Sequence, residues 1–294
     1  MEQSSASPAP RLTVALTFDH DAMSSEVNRG GGAVMISRGE FGPRVGVGRI
    51  LALLERHGVD ATFFVPGHTA VTFPDSVAAI VAAGHELGCH GWTHEDLASL
   101  DEAAEREVLV RSRDQIARAW GRVPAGFRAP YWSLSPRTLA TVEELGFRYD
   151  SSLMADDVRL YRVRHGVVHG TWEGSHLGAP GRLIEVPISW TLDDWPHFEP
   201  GRLGLGPMSA PSKVLEIWTE ELRWAHANEP GGLLTITMHP EAIGRSSRIA
   251  MLERFIETAK GLGSVTFDRL DRAVERWEAA GGVERAAFQA REIV

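Results

Sequence analysis

The sequence contains a single cysteine, Cys89, in a chain of 294 residues. One thiol permits no internal disulfide and is consistent with a reducing compartment. No cluster of basic residues stands out, and the formal net charge of -9 disfavours a nucleic-acid surface, because phosphate contacts need a basic patch. The sequence also has no apolar run long enough to span a bilayer. We therefore expect neither nucleic acid nor membrane as a partner.

The first ten residues, MEQSSASPAP, have neither the basic nor the apolar region of a signal peptide. We expect residues 1–10 to be a disordered polar leader and residues 11–294 to be a single catalytic domain. Together with the cysteine content, this favours a cytoplasmic protein.

Short β-type runs alternate with helical segments, an order typical of a parallel sheet. Strands are predicted at residues 12–19, 61–65, 86–90, 126–129, 183–188, 233–239 and 264–267. Helices are predicted at about 45–58, from 72 or 75 to 84, at 99–120 with Ser99 and Glu102 forming a capping box, and at 136–146. Seven strands without a dinucleotide-binding glycine fingerprint predict an α/β fold, a distorted (β/α) barrel. Segments 155–182 and 196–211 fit neither element, and we expect lid or binding loops there.

The sequence TFDHD places two acids, Asp19 and Asp21, at the end of a buried strand. Side chains alternate along a strand, so the two carboxylates share one face while His20 points to the other. Two like charges on one face persist when a metal ion, another cation or a shared proton compensates them. A turn in which the aspartates cap backbone amides is the alternative interpretation.

The sequence HGWTH supplies two histidines, His90 and His94, directly after another strand. Gly91 favours a tight turn that lets both imidazoles reach one metal ion, while strand parity turns Cys89 away into the core. One aspartate and two histidines are a common set of ligands for Zn²⁺ or a similar divalent ion. On that hypothesis, one aspartate of TFDHD binds the metal and the other acts as a base. Capped or core histidines are the alternative.

The sequence FRAPYW ends a third strand with groups that suit a hydrolase. Arg128 would orient a carboxylate base through a bidentate contact, and Tyr131 and Trp132 would line a pocket. An arginine paired with a surface acid is the plainer interpretation.

Two later strand ends are also polar. TLDDWPHF presents Asp193, Asp194 and Trp195, and TMHPE places His239 where a general acid would protonate a leaving amine. Each also fits a purely structural role, a turn rich in aspartate or a histidine that seals a strand end. Five polar strand ends together favour a site.

In this order, TFDHD, HGWTH, RAPY, DDW and TMHP resemble the motifs of the polysaccharide deacetylase family, also called the NodB homology or carbohydrate esterase 4 group. The resemblance extends from about residue 12 to residue 267 and implies a NodB-like distorted (β/α) barrel. It implies a divalent metal, usually zinc, with Asp21, His90 and His94 as ligands. It further implies that Asp19 is the base, Arg128 its orienting partner and His239 the acid. We expect the substrate to contact Tyr131, Trp132, Asp194 and Trp195.

The chain departs from the family pattern at two places. Members that act on polymers usually have T-F-D-D-G, whereas here His20 separates the acids and no glycine follows. An acid commonly precedes the aspartate of the Asp-Trp pair by three residues, and Thr191 stands there instead. Which aspartate is ligand and which is base therefore stays open.

The spaced acids, the segment SRGEFG and the missing export signal are more similar to a cytoplasmic branch of the family. That branch includes allantoinase-like and cyclic-imidase-like proteins and a peptidoglycan deacetylase-like protein of a gastric bacterium. Its members are often homo-oligomers, tetramers among them, so the resemblance implies a homo-oligomer here.

The function implied is a metal-dependent hydrolase of non-peptide C–N bonds that removes N-acetyl groups from an amino sugar. The first alternative is a hydrolase of a small cyclic amide, either allantoinase-like or cyclic imidase-like. The second is a non-catalytic, metal-stabilised binding protein that retained the fold. A polymer needs an open groove, whereas a small molecule fits a closed pocket under the two long loops.

Overall fold

A curled sheet with helices packed against it organises the chain in the computed structural model, which describes residues 10–199 and 208–284. The predicted leader lies outside these residues except for Pro10. Eight strands follow one another in a half-barrel, in the order β6-β7-β5-β4-β3-β2-β1-β8, and β9 pairs beside β1. The strands are β1 Leu12–Asp19, β2 Thr62–Val65, β3 Glu86–Cys89, β4 Gly126–Phe127, β5 Tyr149–Asp150, β6 Tyr161–His165, β7 Ala179–Glu185, β8 Gly232–Met238 and β9 Val265–Phe267.

The helices of the described residues lie mostly in the connections between strands. They are α1 Ser24–Asn28, α2 Ala33–Phe41, α3 Val47–His57, α4 Gly67–Thr72, α5 Pro74–Ala82, α6 Glu102–Trp120, α7 Thr138–Glu144, α8 Trp195–Phe198, α9 Pro211–Asn228, α10 Pro240–Ile243, α11 Ser246–Gly261 and α12 Leu270–Ala279. A π-helical turn, Gly42–Gly46, joins α2 to α3. In the part of the chain described, no helix combines the length and apolarity needed to cross a membrane.

Strand β1 is the centre of the sheet, and all eight of its residues are buried. One edge pairs in parallel with β8 along nearly the whole strand, while the other edge pairs with β9 at its start and with β2 at its end. Burial on both faces matches the mostly apolar sequence of the strand, as is usual in parallel sheets.

The two faces of β1 meet different surroundings. Leu12, Val14, Leu16 and Phe18 belong to the main apolar core, which they share with residues of α3, α9 and α11. The alternate residues, among them Thr17 and Asp19, point to the opposite face of the sheet, where both contact Arg128. That side is where Asp19 meets its polar partners.

Two short strands were not predicted. β5 has only two residues, and β6 lies within segment 155–182, so the prediction of a plain loop there is wrong in part. β6 and β7 form an antiparallel hairpin whose partly exposed residues give no continuous apolar signal. For the same reason β7 begins earlier, at Ala179, than the apolar run at 183–188 indicated.

The predicted helices are present, with boundaries that differ by a few residues. α6 begins at Glu102 because the carboxylate of Asp101 accepts a hydrogen bond from the amide of Ala104 at 2.9 Å, so Ser99 is not its cap. Of the two starts predicted for the preceding helix, 72 or 75, the second is close to the observed one: α5 begins at Pro74, and Phe73 separates it from α4, which ends at Thr72. In segment 196–211, α8 ends at Phe198, α9 starts at Pro211, and residues 200–207 lie outside the described ranges.

Candidate active site

The polar strand ends predicted from sequence meet at one edge of the sheet. Asp19 ends β1, His90 follows β3, Arg128 follows β4 and His239 follows β8. These strands are parallel, so their carboxyl ends lie on the same side, where α/β enzymes place their sites. All four side chains are buried.

Asp21, His90 and His94 form a compact triad. Oδ2 of Asp21 lies 3.1 Å from Nε2 of His94, and its Oδ1 lies 3.5 Å from Nε2 of His90. Each side chain offers one ligand atom, and these three atoms lie within 4.8 Å of one another. One carboxylate and two imidazoles converging in this way can hold a divalent ion.

The backbone of Arg128 orients His90, and a left-handed turn positions His94. His90 Nδ1 lies 2.8 Å from the carbonyl oxygen of Arg128, and with the proton on Nδ1 the free Nε2 lone pair faces Asp21. Burial lowers the pKa of His90, which favours the neutral imidazole that a metal ligand needs. His94 adopts a left-handed backbone, φ 60°, after the turn that Gly91 opens with φ 69°. The prediction of a tight turn at Gly91 is confirmed.

The carboxylate of Asp21 is buried and only partly satisfied by hydrogen bonds. Its Oδ1 has no hydrogen-bond partner among residues 10–199 and 208–284. Burial by itself would raise the pKa of Asp21, yet neighbouring His94, His90 and His239 hold that pKa below its ordinary value. A buried, ionised carboxylate with a free oxygen beside two imidazoles fits a cation.

Asp19 is engaged by Arg128. Nη1 of Arg128 donates to Oδ1 of Asp19 at 2.8 Å and to Oγ1 of Thr17 at 2.9 Å. The remaining donors of the guanidinium go to Ser151, at its carbonyl oxygen and its hydroxyl. The predicted bidentate contact is therefore wrong, because the other nitrogens are used elsewhere, although Arg128 does hold the acid. The second oxygen of Asp19 lies 3.8 Å from Nε2 of His90.

His239 is fixed from behind by Asp194. Nδ1 of His239 lies 2.8 Å from Oδ1 of Asp194, and the backbone amide of His239 donates to both carboxylate oxygens at 3.1 Å. Asp194 is completely buried, so its predicted contact with substrate is corrected to a contact with His239. Burial opposes a charge on His239, but the hydrogen bond to Asp194 and the nearby charge of Asp193 raise its pKa well above the usual value. Nε2 of His239 lies 3.9 Å from Oδ2 of Asp21.

Aromatic side chains surround the triad and the acid. The ring of Tyr131 packs edge-on against His94 at 4.3 Å, and Trp195 lies 4.8 Å from His239. Trp132 contacts the partly exposed Trp190 at 4.2 Å, a neighbour that the sequence did not identify. Tyr131 and Trp132 both have positive φ, a strained backbone that tends to be retained at functional sites.

Helix α2 also contributes to the site, although no helix was predicted there. Its residue Arg38 places its guanidinium 4.4 Å from the ring of Trp195. Gly39 packs so closely on the backbone of Ala22 that a Cβ atom there would lie 2.4 Å from the carbonyl oxygen. The segment SRGEFG, noted for its family resemblance, was the available signal.

Two further clusters in the described residues contain potential ligands. Asp193, Asp194 and His239 are close enough, but the oxygens of Asp194 already accept from His239, and Asp193 accepts from the amide of Trp195 at 2.9 Å. In the other cluster, Glu253 is paired with Arg56 near the surface. The Asp21 triad is therefore the better candidate for a metal.

Known proteins share both the sequence and the fold. Residues 6–149 match the family described as "Polysaccharide deacetylase". The peptidoglycan deacetylase of Helicobacter pylori is 31% identical over 283 residues, which is 89% of this chain and 96% of that protein. The chain belongs to the polysaccharide deacetylase family. The family resemblance predicted from the sequence is confirmed.

Solved structures extend the comparison of this polysaccharide deacetylase family member to the fold. A structure of a candidate polysaccharide deacetylase from Mycobacterium smegmatis is 33% identical, with a TM-score of 0.80 over 98% of this chain and 97% of that one. A PuuE allantoinase is 24% identical, with a TM-score of 0.79 over 95% and 94% of the two chains, a likeness of fold alone. The predicted NodB-like α/β fold is confirmed, with the barrel open as a half-barrel.

Proposed function

We propose that the chain is a metal-dependent deacetylase that hydrolyses the amide C–N bond of an N-acetylated amino sugar. The observation that carries the proposal is the convergence of Asp21, His90 and His94 beside Asp19 and His239. The peptidoglycan deacetylase of H. pylori, which matches nearly the whole chain, supports a sugar substrate.

The residues present fit a divalent metal ion. Asp21, His90 and His94 would hold it, and this set of nitrogen and oxygen donors suits Zn²⁺. When bound, such an ion supplies a Lewis acid and lowers the pKa of water toward neutrality.

Asp19 is the better placed of the two aspartates to act as the base. Its Oδ1 is held by Arg128, while Oδ2 remains on the side of His90. Asp21, by contrast, lies between the two histidines. We therefore assign Asp21 as ligand, Asp19 as the group that accepts the proton of the attacking water, and Arg128 as its positioning residue.

His239 is suited to the role of acid. Asp194 accepts from its Nδ1 side, which leaves Nε2 directed toward Asp21 and the reaction centre. Its raised pKa keeps the imidazole protonated, ready to donate a proton to the leaving nitrogen. A backbone amide near Tyr131 would stabilise the oxyanion, and Tyr131, Trp132 and Trp195 would contact the substrate.

A small cyclic amide is the second candidate substrate, and the depth of the site favours it. His90, His94 and His239 are 1%, 5% and 7% exposed, and α2 packs over the backbone beside Asp21. A covered site suits a small molecule better than a polymer. The fold shared with an allantoinase is consistent with this candidate.

A substrate screen of the zinc-loaded protein tests the proposal. Chitooligosaccharides would be assayed for acetate release, and allantoin and succinimide for ring opening, with the His90→Ala variant as control. We expect acetate release from chitooligosaccharides and no turnover by the variant, whereas ring opening alone would favour the cyclic-amide candidate. No turnover in either arm by protein that binds zinc would overturn the proposed function.

A homo-oligomer, tetrameric or otherwise, stays a prediction.

A further inference from the structure

Glu241 is a buried acid beside the site for which the proposed mechanism has no use. It lies in α10, two residues after His239, and its side chain is completely buried. Neither oxygen of its carboxylate has a hydrogen-bond partner among the described residues. Buried polar groups are nearly always paired, so an acid with two free oxygens points to a partner that binds from outside the chain.

The position of Glu241 places this carboxylate between α2 and the reaction centre. Gly42, at the start of the π-helical turn, lies so close that a Cβ atom there would be 3.1 Å from Oε2 of Glu241. On the other side, Asp21 and His239 are near enough to act on the carboxyl electrostatically. Burial, together with the charge of Asp21, raises the pKa of Glu241 to about 8.

Arg38 presents a matching donor from α2. Its Nε donates to Oε2 of Glu199 at 2.7 Å, and its guanidinium stacks on Trp195, which in turn packs against His239. Its Nη2, however, is buried and has no partner within the described ranges. The Arg38 side chain is 13% exposed, whereas its Nη2 and the carboxylate of Glu241 are buried, so a group bound between them would be enclosed.

Arg38 and Glu241 interact electrostatically but form no hydrogen bond with each other. Arg38 contributes to the electrostatic surroundings of Glu241, yet Nη2 of Arg38 and both oxygens of Glu241 lack partners. A group that both accepts and donates a hydrogen bond would satisfy the two side chains at once.

We propose that Arg38 and Glu241 form a recognition pair that binds a substrate group able to accept from Arg38 Nη2 and donate to Glu241. This inference rests on the proposed function, since it determines which substrates enter the site. A sugar hydroxyl has this chemistry, and so does the second amide edge of a cyclic imide or ureide. Both would lie on the His239 side of the reacting amide.

Kinetics of Glu241→Met and Arg38→Met test the pair against Glu86→Gln. Methionine has a similar size to glutamate but no carboxylate or amide oxygen, so the core around residue 241 stays filled while the acceptor is removed. Glu86 is a matched control because it is also completely buried, but it lies at the end of β3 away from His90. Its oxygens accept hydrogen bonds from Thr62 and Tyr149. Each variant would be assayed on chitooligosaccharide, on succinimide and on 4-nitroacetanilide, which carries an acetamide but no second polar group of this kind.

We expect both recognition variants to raise KM about tenfold or more for whichever of the first two substrates is turned over. The loss on 4-nitroacetanilide should be much smaller, and zinc content should equal that of the wild type. The substrate affected distinguishes a sugar hydroxyl from a cyclic amide edge. Equal losses on all substrates, or a change in kcat alone, would overturn the inference.

Binding separates this inference from the proposed function. If the wild type hydrolyses none of the substrates, calorimetry with N-acetylglucosamine trisaccharide and with succinimide measures recognition directly. Binding to the wild type that weakens about tenfold in Glu241→Met and Arg38→Met supports the pair while the enzymatic proposal fails. Equal binding by wild type and variants, or no binding of either ligand, contradicts the pair.

Discussion

Nδ1 of His239 lies 2.8 Å from Oδ1 of Asp194, and the backbone amide of His239 donates to the same carboxylate. The contact joins two motifs that are 45 residues apart in sequence. It fixes the orientation of the imidazole and raises its pKa, so one carboxylate sets both the geometry and the protonation state of the proposed acid.

Replacing Asp194 with asparagine should move the alkaline limb of the pH–rate profile to lower pH. The raised pKa of His239 keeps its protonated form present to a higher pH than in an ordinary histidine. A hydrogen bond to a charged group contributes about 1.5–3 kcal/mol, so its weakening should lower the pKa by about one to two units. The measurement is kcat/KM against pH.

Asp193→Asn serves as the control for that shift. Oδ1 of Asp193 lies 3.7 Å from Nδ1 of His239, too far for a hydrogen bond, so we expect a smaller displacement. An alkaline limb that stays in place in Asp194→Asn would contradict the role of Asp194.

Arg128→Ala should lower the free energy of unfolding by about 3–5 kcal/mol, because it leaves the buried carboxylate of Asp19 without its charged partner. Arg106→Ala removes an ion pair of similar length, 3.0 Å to Glu144, that is exposed on both sides. That control should cost at most about 1 kcal/mol. Denaturant unfolding of both variants at neutral pH measures the difference, and similar losses would argue against a buried pair.

Two glycines near the start of α3 should respond oppositely to alanine. A Cβ atom on Gly46 would lie 2.2 Å from the carbonyl oxygen of Pro240, so Gly46→Ala should push α10 away and cost about 1–3 kcal/mol. Gly48 is exposed in the helix with open space around its Cβ position, and Gly48→Ala should stabilise by about 0.5–1 kcal/mol. Thermal unfolding compares the two, and an unchanged melting temperature in Gly46→Ala would rule out this packing.

The strand ends could be predicted because their signal is local. An apolar run followed by Asp19, His90 or His239 identifies both a buried strand and the polar group at its carboxyl end. Parallel pairing then brings such ends together, which is why the sequence grouped residues that the structure places within a few ångströms.

The remaining contacts depend on distant parts of the chain and left no such pattern. Asp194 was expected at the substrate because a sequence does not show which way an acid in a turn points. The strands β5 and β6 are short or partly exposed, so neither periodicity nor an apolar run indicated them. Arg38 and Glu241 come together only through the packing of α2 on α10.

Metal content tests the central claim, that Asp21, His90 and His94 bind one ion, most directly. Mass spectrometry of protein equilibrated with zinc and then desalted should find about one ion per chain in the wild type and in His239→Ala. His90→Ala and His94→Ala should lose most of it. Equal zinc in the wild type and in His90→Ala and His94→Ala, or loss of zinc in His239→Ala alone, would contradict the account.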